Sequence, residues 1–219
     1  MKAGQECYNN NMKHAELIND PELNRTVYLF TSPEDSGLLP HLKSLPANFV
    51  LLEVDDWNGE LSPWPLKAGK MQFAGRGEET LAELLGIKEM HESQYGSGKA
   101  FIAGYSLAGL FSLYAHRYFD GIVSCSSSLW FPGFTDRLKG SGIDREKRFY
   151  LSLGEREEQS RNQLLATVGD QTRGLYEYLR NNGNDCVLVS NPGGHFDQPD
   201  ERLLMGIRWI LEGQTNGSK

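Results

Sequence analysis

Cysteine is scarce in this chain. Cys7, Cys125 and Cys186 are the only three in 219 residues, too few and too scattered for a disulfide framework or a C-x-x-C metal pair. Cys125 and Cys186 fall in apolar, strand-like runs and read as buried free thiols. Positive charge is also short. Twenty-two Lys and Arg against 29 Asp and Glu leave a net charge of −7. Nothing gathers the cationic surface that a phosphate backbone needs, which argues against nucleic acid as a partner and, more weakly, against an anionic membrane. No apolar run approaches the ~20 residues that span a bilayer, and Met1 to Cys7 has no apolar signal core. A reducing cytoplasm is the expected compartment.

Internal repeats, low-complexity blocks and interdomain linkers are missing as well. One domain over residues 1–219 is expected, with 1–20 a loosely packed N-terminal segment. No dinucleotide fingerprint or metal-ligand cluster appears. Gly96-Ser97-Gly98-Lys99 has the look of a phosphate loop, but the upstream glycine spacing fails and Ala100 stands where Ser or Thr is needed. No cofactor and no metal are expected.

What is present is an alternation of short β-like runs with helical patterns. Strands are predicted at Thr26–Phe30, Asn48–Val54, Ala100–Tyr105, Gly121–Cys125, Arg148–Leu153 and Cys186–Val189. Helical spacing covers Glu78–Leu85, Leu107–Tyr118, about Gln163–Asn181 and Glu201–Leu211. Near-continuous apolar strands between helices imply an α/β protein with a largely parallel sheet covered on both faces. The segment from Glu53 to Met71 has no periodicity. Trp57, Pro63, Trp64 and Pro65 make it a stiff loop that either lines a ligand site or plugs the flank of the core.

One segment carries chemistry most directly: Phe101-Ile102-Ala103-Gly104-Tyr105-Ser106-Leu107-Ala108-Gly109-Leu110. An apolar strand ends in Gly-Tyr-Ser-Leu-Ala-Gly and passes straight into a helix. This is the context in which a sharp turn exposes a serine as a nucleophile. Small residues are needed two before and two after it, and Gly104 and Ala108 stand there.

A serine needs a base, and the base needs a third group to fix its tautomer. Of five histidines, His14 lies in a polar region, His41 at a turn or helix start, and His116 on the helix beyond the elbow. His91 sits in a charged run and reads as solvated. His195, in Asn191-Pro192-Gly193-Gly194-His195-Phe196 after the last strand, is the candidate base. The acid is expected after strand Arg148–Leu153, in Gly154-Glu155-Arg156-Glu157-Glu158. Glu157 is preferred, three residues past the glycine, with Glu155 and Glu158 as alternatives. The order Ser106, Glu157, His195 is that of the α/β-hydrolases. The oxyanion hole should use the backbone N–H of Leu107 and one from Thr31-Ser32-Pro33. Pro33 has none, and Ser32 is preferred over Thr31.

Four segments then resemble a known group. They are Asp56-Trp57-Asn58 with Ser62-Pro63-Trp64-Pro65, then Ala103 to Phe111, Ser126-Ser127-Ser128-Leu129-Trp130-Phe131, and Gly193-Gly194-His195-Phe196. Together they look like the esterase family of the esterase D and enterochelin-esterase type. The resemblance implies a three-layer α/β-hydrolase fold and hydrolysis of a small or medium carboxylic ester through an acyl-enzyme, with no cofactor. Ser126 to Lys147 leaves little room for a cap, so a small, open site is expected. The alternative substrate is a catecholate siderophore lactone, stacked on Trp57, Trp64 and Trp130, with Tyr105 a further aromatic contact. An acyltransferase, a Ser–His dyad, and a non-catalytic binding protein on the same fold stay open, as does a homodimer.

Overall fold

The computed structural model describes residues 12–31 and 37–212. Its frame is a seven-stranded sheet built from β1 (Lys13–Leu17), β2 (Arg25–Phe30), β3 (Asn48–Glu53), β6 (Lys99–Tyr105), β7 (Gly121–Cys125), β8 (Arg148–Gly154) and β9 (Asp185–Asn191). The spatial order is β1-β3-β2-β6-β7-β8-β9. All neighbours pair in parallel except β1, which runs antiparallel along the edge of β3. A separate hairpin joins β4 (Leu66–Ala68) to β5 (Met71–Phe73). The helices are α1 (Leu39–Leu42), α2 (Trp57–Glu60), α3 (Gly77–Tyr95), α4 (Leu107–Tyr114), α5 (Phe134–Lys139), α6 (Gln163–Ala166), α7 (Val168–Asn182) and α8 (Pro199–Leu211).

Period-two alternation sorts the strand residues into two cores. Tyr28, Phe30, Ile102, Ile122, Phe149 and Leu151 face α3, α4 and α7 through Leu84, Leu110, Phe111 and Leu175. Val27, Leu29, Phe101, Ala103, Val123 and Tyr150 face α1 and α8 through Leu42, Leu203, Ile207 and Ile210. The sheet is therefore sandwiched between two helical layers.

Two predicted regions differ. The described part of the N-terminal segment is not loose. Lys13–Leu17 pairs with β3 from Phe49 to Glu53, and the Asn19 side-chain amide donates to the carbonyls of Leu42, Leu45 and Ala47. A short polar edge strand carries almost no apolar signal, since backbone pairing supplies its order. The loop expected from Glu53 to Met71 holds a helical turn and a hairpin strand. The Asp56 carboxylate caps α2 by accepting the Gly59 N–H at 3.0 Å. Four-residue helices and three-residue strands are too short to leave a period. Among the described residues, no helix is long and apolar enough to cross a membrane.

Candidate active site

β6 delivers Ser106 at the carboxyl edge of the sheet. Ser106 has φ +57° and ψ −119°, a left-handed conformation that a serine rarely adopts, between the last residue of β6 and the first of α4. The strand and helix touch at this turn. A Cβ on Gly104 would lie 2.3 Å from the carbonyl oxygen of Ala108 and 2.8 Å from the nitrogen of Gly109, so no side chain fits there. The backbone of Ser106 is held on two sides: its N–H donates to Cys125 O at 3.0 Å, and its carbonyl accepts from the Ser128 N–H at 3.0 Å. The hydroxyl is left pointing into the open.

His195 and Glu157 meet it there. His195 Nε2 lies 2.9 Å from Ser106 Oγ, and His195 Nδ1 lies 2.8 Å from Glu157 Oε2. A 3₁₀ turn (Glu157–Gln159) directly after β8 folds Glu157 back over its own strand, where Oε1 accepts the Gly154 N–H at 2.7 Å. Burial works against the charge on Glu157. Hydrogen bonds from His195, Ser126 and the Gly154 N–H outweigh it and hold the carboxyl below its ordinary value. The other two glutamates are turned elsewhere. Glu155 is exposed, and Glu158 pairs with Arg173 at 2.7 Å.

The loop carrying His195 is tied down from both sides. The Asp197 carboxylate accepts the Gly194 N–H at 2.6 Å and the Arg156 guanidinium at 3.1 Å. Those bonds keep its carboxyl below the usual range, the Gly194 N–H contributing most. The Tyr105 hydroxyl donates to His195 O at 2.7 Å. Burial raises the Tyr105 hydroxyl above its ordinary value, so it stays protonated and able to donate.

A cleft of about 480 Å³ opens over Ser106, Leu107 and His195. Its walls are mainly apolar, with Trp57, Met71, Phe73, Trp130 and Phe196 most prominent. Phe196 is 91% exposed and packs edge-on to the His195 ring at 5.1 Å. Two of the four aromatic residues expected to contact substrate are not in this wall. Trp64 is half-buried behind it, packed against Phe131 and Phe134 beneath the Arg137 guanidinium. Tyr105 sits under the His195 loop. The stiff loop thus does both things open to it: Trp57 lines the cleft and Trp64 plugs the core.

Of the residues expected to donate to an oxyanion, Leu107 is the first of α4, where no earlier helical carbonyl takes its N–H. Thr31 uses its N–H to continue the sheet, donating to Leu52 O at 3.0 Å. Ser32 lies outside the described residues. His91 is a correction to the sequence reading. It is 2% exposed, bonded to Glu16 at 2.6 Å and Thr26 at 3.2 Å. The buried positions of α3 are Gly77, Thr80, Leu84, Ile87 and His91, a regular three-four spacing that places His91 on the inner stripe. Cys125 is fully buried, and burial pushes its thiol up to about 12, whereas Cys186 is half-buried. No group of three or more His, Cys, Asp or Glu that could hold a metal ion is found among the described residues.

No family model matches this sequence, and no curated protein matches it. Solved structures do. An IroE-like serine hydrolase from Shewanella oneidensis superposes with a TM-score of 0.76 at 17% identity, over 91% of this chain and 75% of that one. The siderophore hydrolase EstA from Aspergillus nidulans gives 0.64 at 20% identity, over 85% and 82%. The enterobactin esterase FES from Shigella flexneri gives 0.62 at 18% identity, over 84% of this chain but only 52% of that one. At these identities the likeness is one of fold. The chain therefore has the α/β-hydrolase fold, and its structural neighbours include siderophore hydrolases and an enterobactin esterase.

Proposed function

We propose that this protein is a serine carboxylic-ester hydrolase working through an acyl-enzyme. The observation that carries the reading is the continuous relay from Glu157 through His195 to Ser106, at 2.8 and 2.9 Å, ending on a left-handed serine beneath an open cleft. Ser106 Oγ attacks the acyl carbon as His195 Nε2 takes its proton. The Leu107 N–H, aligned with the positive end of α4, donates to the oxygen that becomes negative. The tetrahedral adduct collapses, the carbon–oxygen bond to the leaving group breaks, and His195 returns the proton to the departing alkoxide. Water then attacks the acyl-Ser106 ester by the same route and releases the acid. Glu157 stabilises the imidazolium formed in each half.

The substrate class follows from the cleft. An apolar wall of Trp57, Met71, Phe73 and Trp130 suits an acyl group of small or medium size. A catecholate lactone is the second reading, favoured by the two indoles and by the siderophore-cleaving neighbours. Trp64, half-buried and outside the cleft lining, takes no part in either.

Fluorophosphonate labelling with a panel of p-nitrophenyl esters and one catecholate lactone tests the proposal. Wild type is expected to label once, at Ser106, and to turn over at least one ester. Absence of both labelling and turnover defeats the reading. Turnover of the lactone well above every simple ester selects the second substrate.

A further inference from the structure

We propose that Arg202 is a positioning residue that fixes the Glu157 carboxylate and the loop carrying His195. The inference rests on the esterase reading above. Arg202 enters from the first turns of α8 on the far side of the sheet, and it is 1% exposed. Its Nη1 lies 3.2 Å from Glu157 Oε1, 3.0 Å from Ser126 Oγ and 3.2 Å from the Tyr105 hydroxyl. Its Nη2 donates to Pro192 O at 2.8 Å. These four acceptors belong to the ends of β6, β7, β8 and β9. One guanidinium thus spans the ends of the three strands from which Ser106, Glu157 and His195 are hung, and of β7, which lies between β6 and β8.

The chemistry of Glu157 gives this contact its use. The Gly154 N–H and Arg202 both take Oε1, which turns Oε2 toward His195 Nδ1. His195 is held through the same hub: Pro192 O lies three residues before it, and Tyr105, touched by Arg202, donates to its carbonyl. Space is reserved for the group. A Cβ at Gly154 would lie 2.9 Å from both Arg202 Nη1 and Glu157 Oε1. Stability alone does not account for an arginine here. A buried ion pair is commonly matched or bettered by apolar packing, and Arg202 Nε is buried without a hydrogen-bond partner among the described residues. The planar fork is what reaches several acceptors from one atom set, and a lysine cannot copy it.

Arg202→Met and Arg202→Lys test this with three readouts: kcat and KM on the best p-nitrophenyl ester, a double-mutant cycle with Glu157→Gln, and the low-field proton resonance of His195 Nδ1–H. That resonance is identified by its loss in Glu157→Gln, which separates it from the one His91 makes with Glu16. Arg202→Met is expected to lower kcat on the order of 10²-fold, as a misplacement of about 1 Å does, with KM little changed. It should also lose the resonance, and add nothing to Glu157→Gln. Arg202→Lys should recover part of kcat. Wild-type kcat in both variants, or losses that multiply with Glu157→Gln, overturn the proposal. Should Arg202→Met fail to fold, Arg202→Lys decides: full kcat with an unshifted resonance overturns it. An unlabelled, inactive wild type defeats the esterase reading instead, while the resonance still reports on Arg202.

Discussion

Two histidines in this molecule are wired alike. His195 joins Glu157 at 2.8 Å to Ser106 at 2.9 Å. His91 joins Glu16 at 2.6 Å to Thr26 at 3.2 Å. Each has a carboxylate on Nδ1 and a hydroxyl on Nε2. Their settings are opposite. Thr26 sits near the amino end of β2, in register with Asn48 and Ala100 on its neighbours, and His91 is packed near the rings of Tyr28 and Tyr95. Ser106 lies past the carboxyl end of β6, at φ +57°, at the start of a helix and beneath a cleft. A hydroxyl, an imidazole and a carboxylate in line do not by themselves make a nucleophile. The strained turn, the helix N-terminus and the access for substrate distinguish one group from the other. The His91 set pins β1, β2 and α3 together.

Breaking the serine gives the largest expected effect. Ser106→Ala should lose on the order of 10⁴ or more in kcat while the fold is kept, and His195→Ala nearly as much. The double variant should be little worse than either, because the pair acts as a unit. Steady-state kinetics on folded protein check this, and losses that multiply would separate the two residues.

Glu157→Gln comes next, with kcat lowered by roughly 10² to 10⁴, the acid being the least costly of the three to remove. Glu155→Gln and Glu158→Gln should be near neutral, since their carboxylates lie away from His195. A strong effect at either neighbour with none at Glu157 reverses the assignment.

The His91 set should answer in stability instead of rate. His91→Ala is expected to cost about 1–3 kcal/mol by removing two hydrogen bonds, to the half-buried Thr26 hydroxyl and to the Glu16 carboxylate, with kcat per folded molecule unchanged. Thr26→Val, removing a single hydrogen bond, should cost about 0.5–1.5 kcal/mol. Denaturant unfolding beside kinetics reads both, and a fall in kcat at either residue would erase the contrast between the two histidines.

The smallest effect is on the acid limb of stability. Glu157 is held below its ordinary value of 4.5, so between those two values the unfolded chain binds the proton and the folded chain does not. Its stabilising contribution is present above 4.5 and is lost as pH falls from there through the folded value. Glu157→Gln should flatten this limb when unfolding is followed from about pH 6 to pH 3. An unchanged slope would mean that Glu157 has the same affinity for protons in both states.

What could be read from the chain was whatever neighbours in sequence enforce. The apolar runs of six strands, the small residues around Ser106 and the order of Ser106, Glu157 and His195 are local or ordinal, and they predict the sheet and its reacting edge. β1 escaped because backbone pairing orders it without an apolar pattern. His91 is hidden because the apolar spacing ends at Ile87 and the last position of the same stripe is filled by a histidine amid charged residues. The fates of Trp57 and Trp64 share one composition and differ only in what stands across from them. Sequence separates Glu157 from Glu155 and Glu158 by position alone; the turn after β8 and the bond to the Gly154 N–H are what point that carboxylate inward. Arg202 is the furthest case. It lies seven residues beyond His195 but 97 beyond Tyr105, and nothing in its own helix announces a ligand. Only the parallel sheet, by bringing four strand ends to one edge, gives a single guanidinium all of its partners.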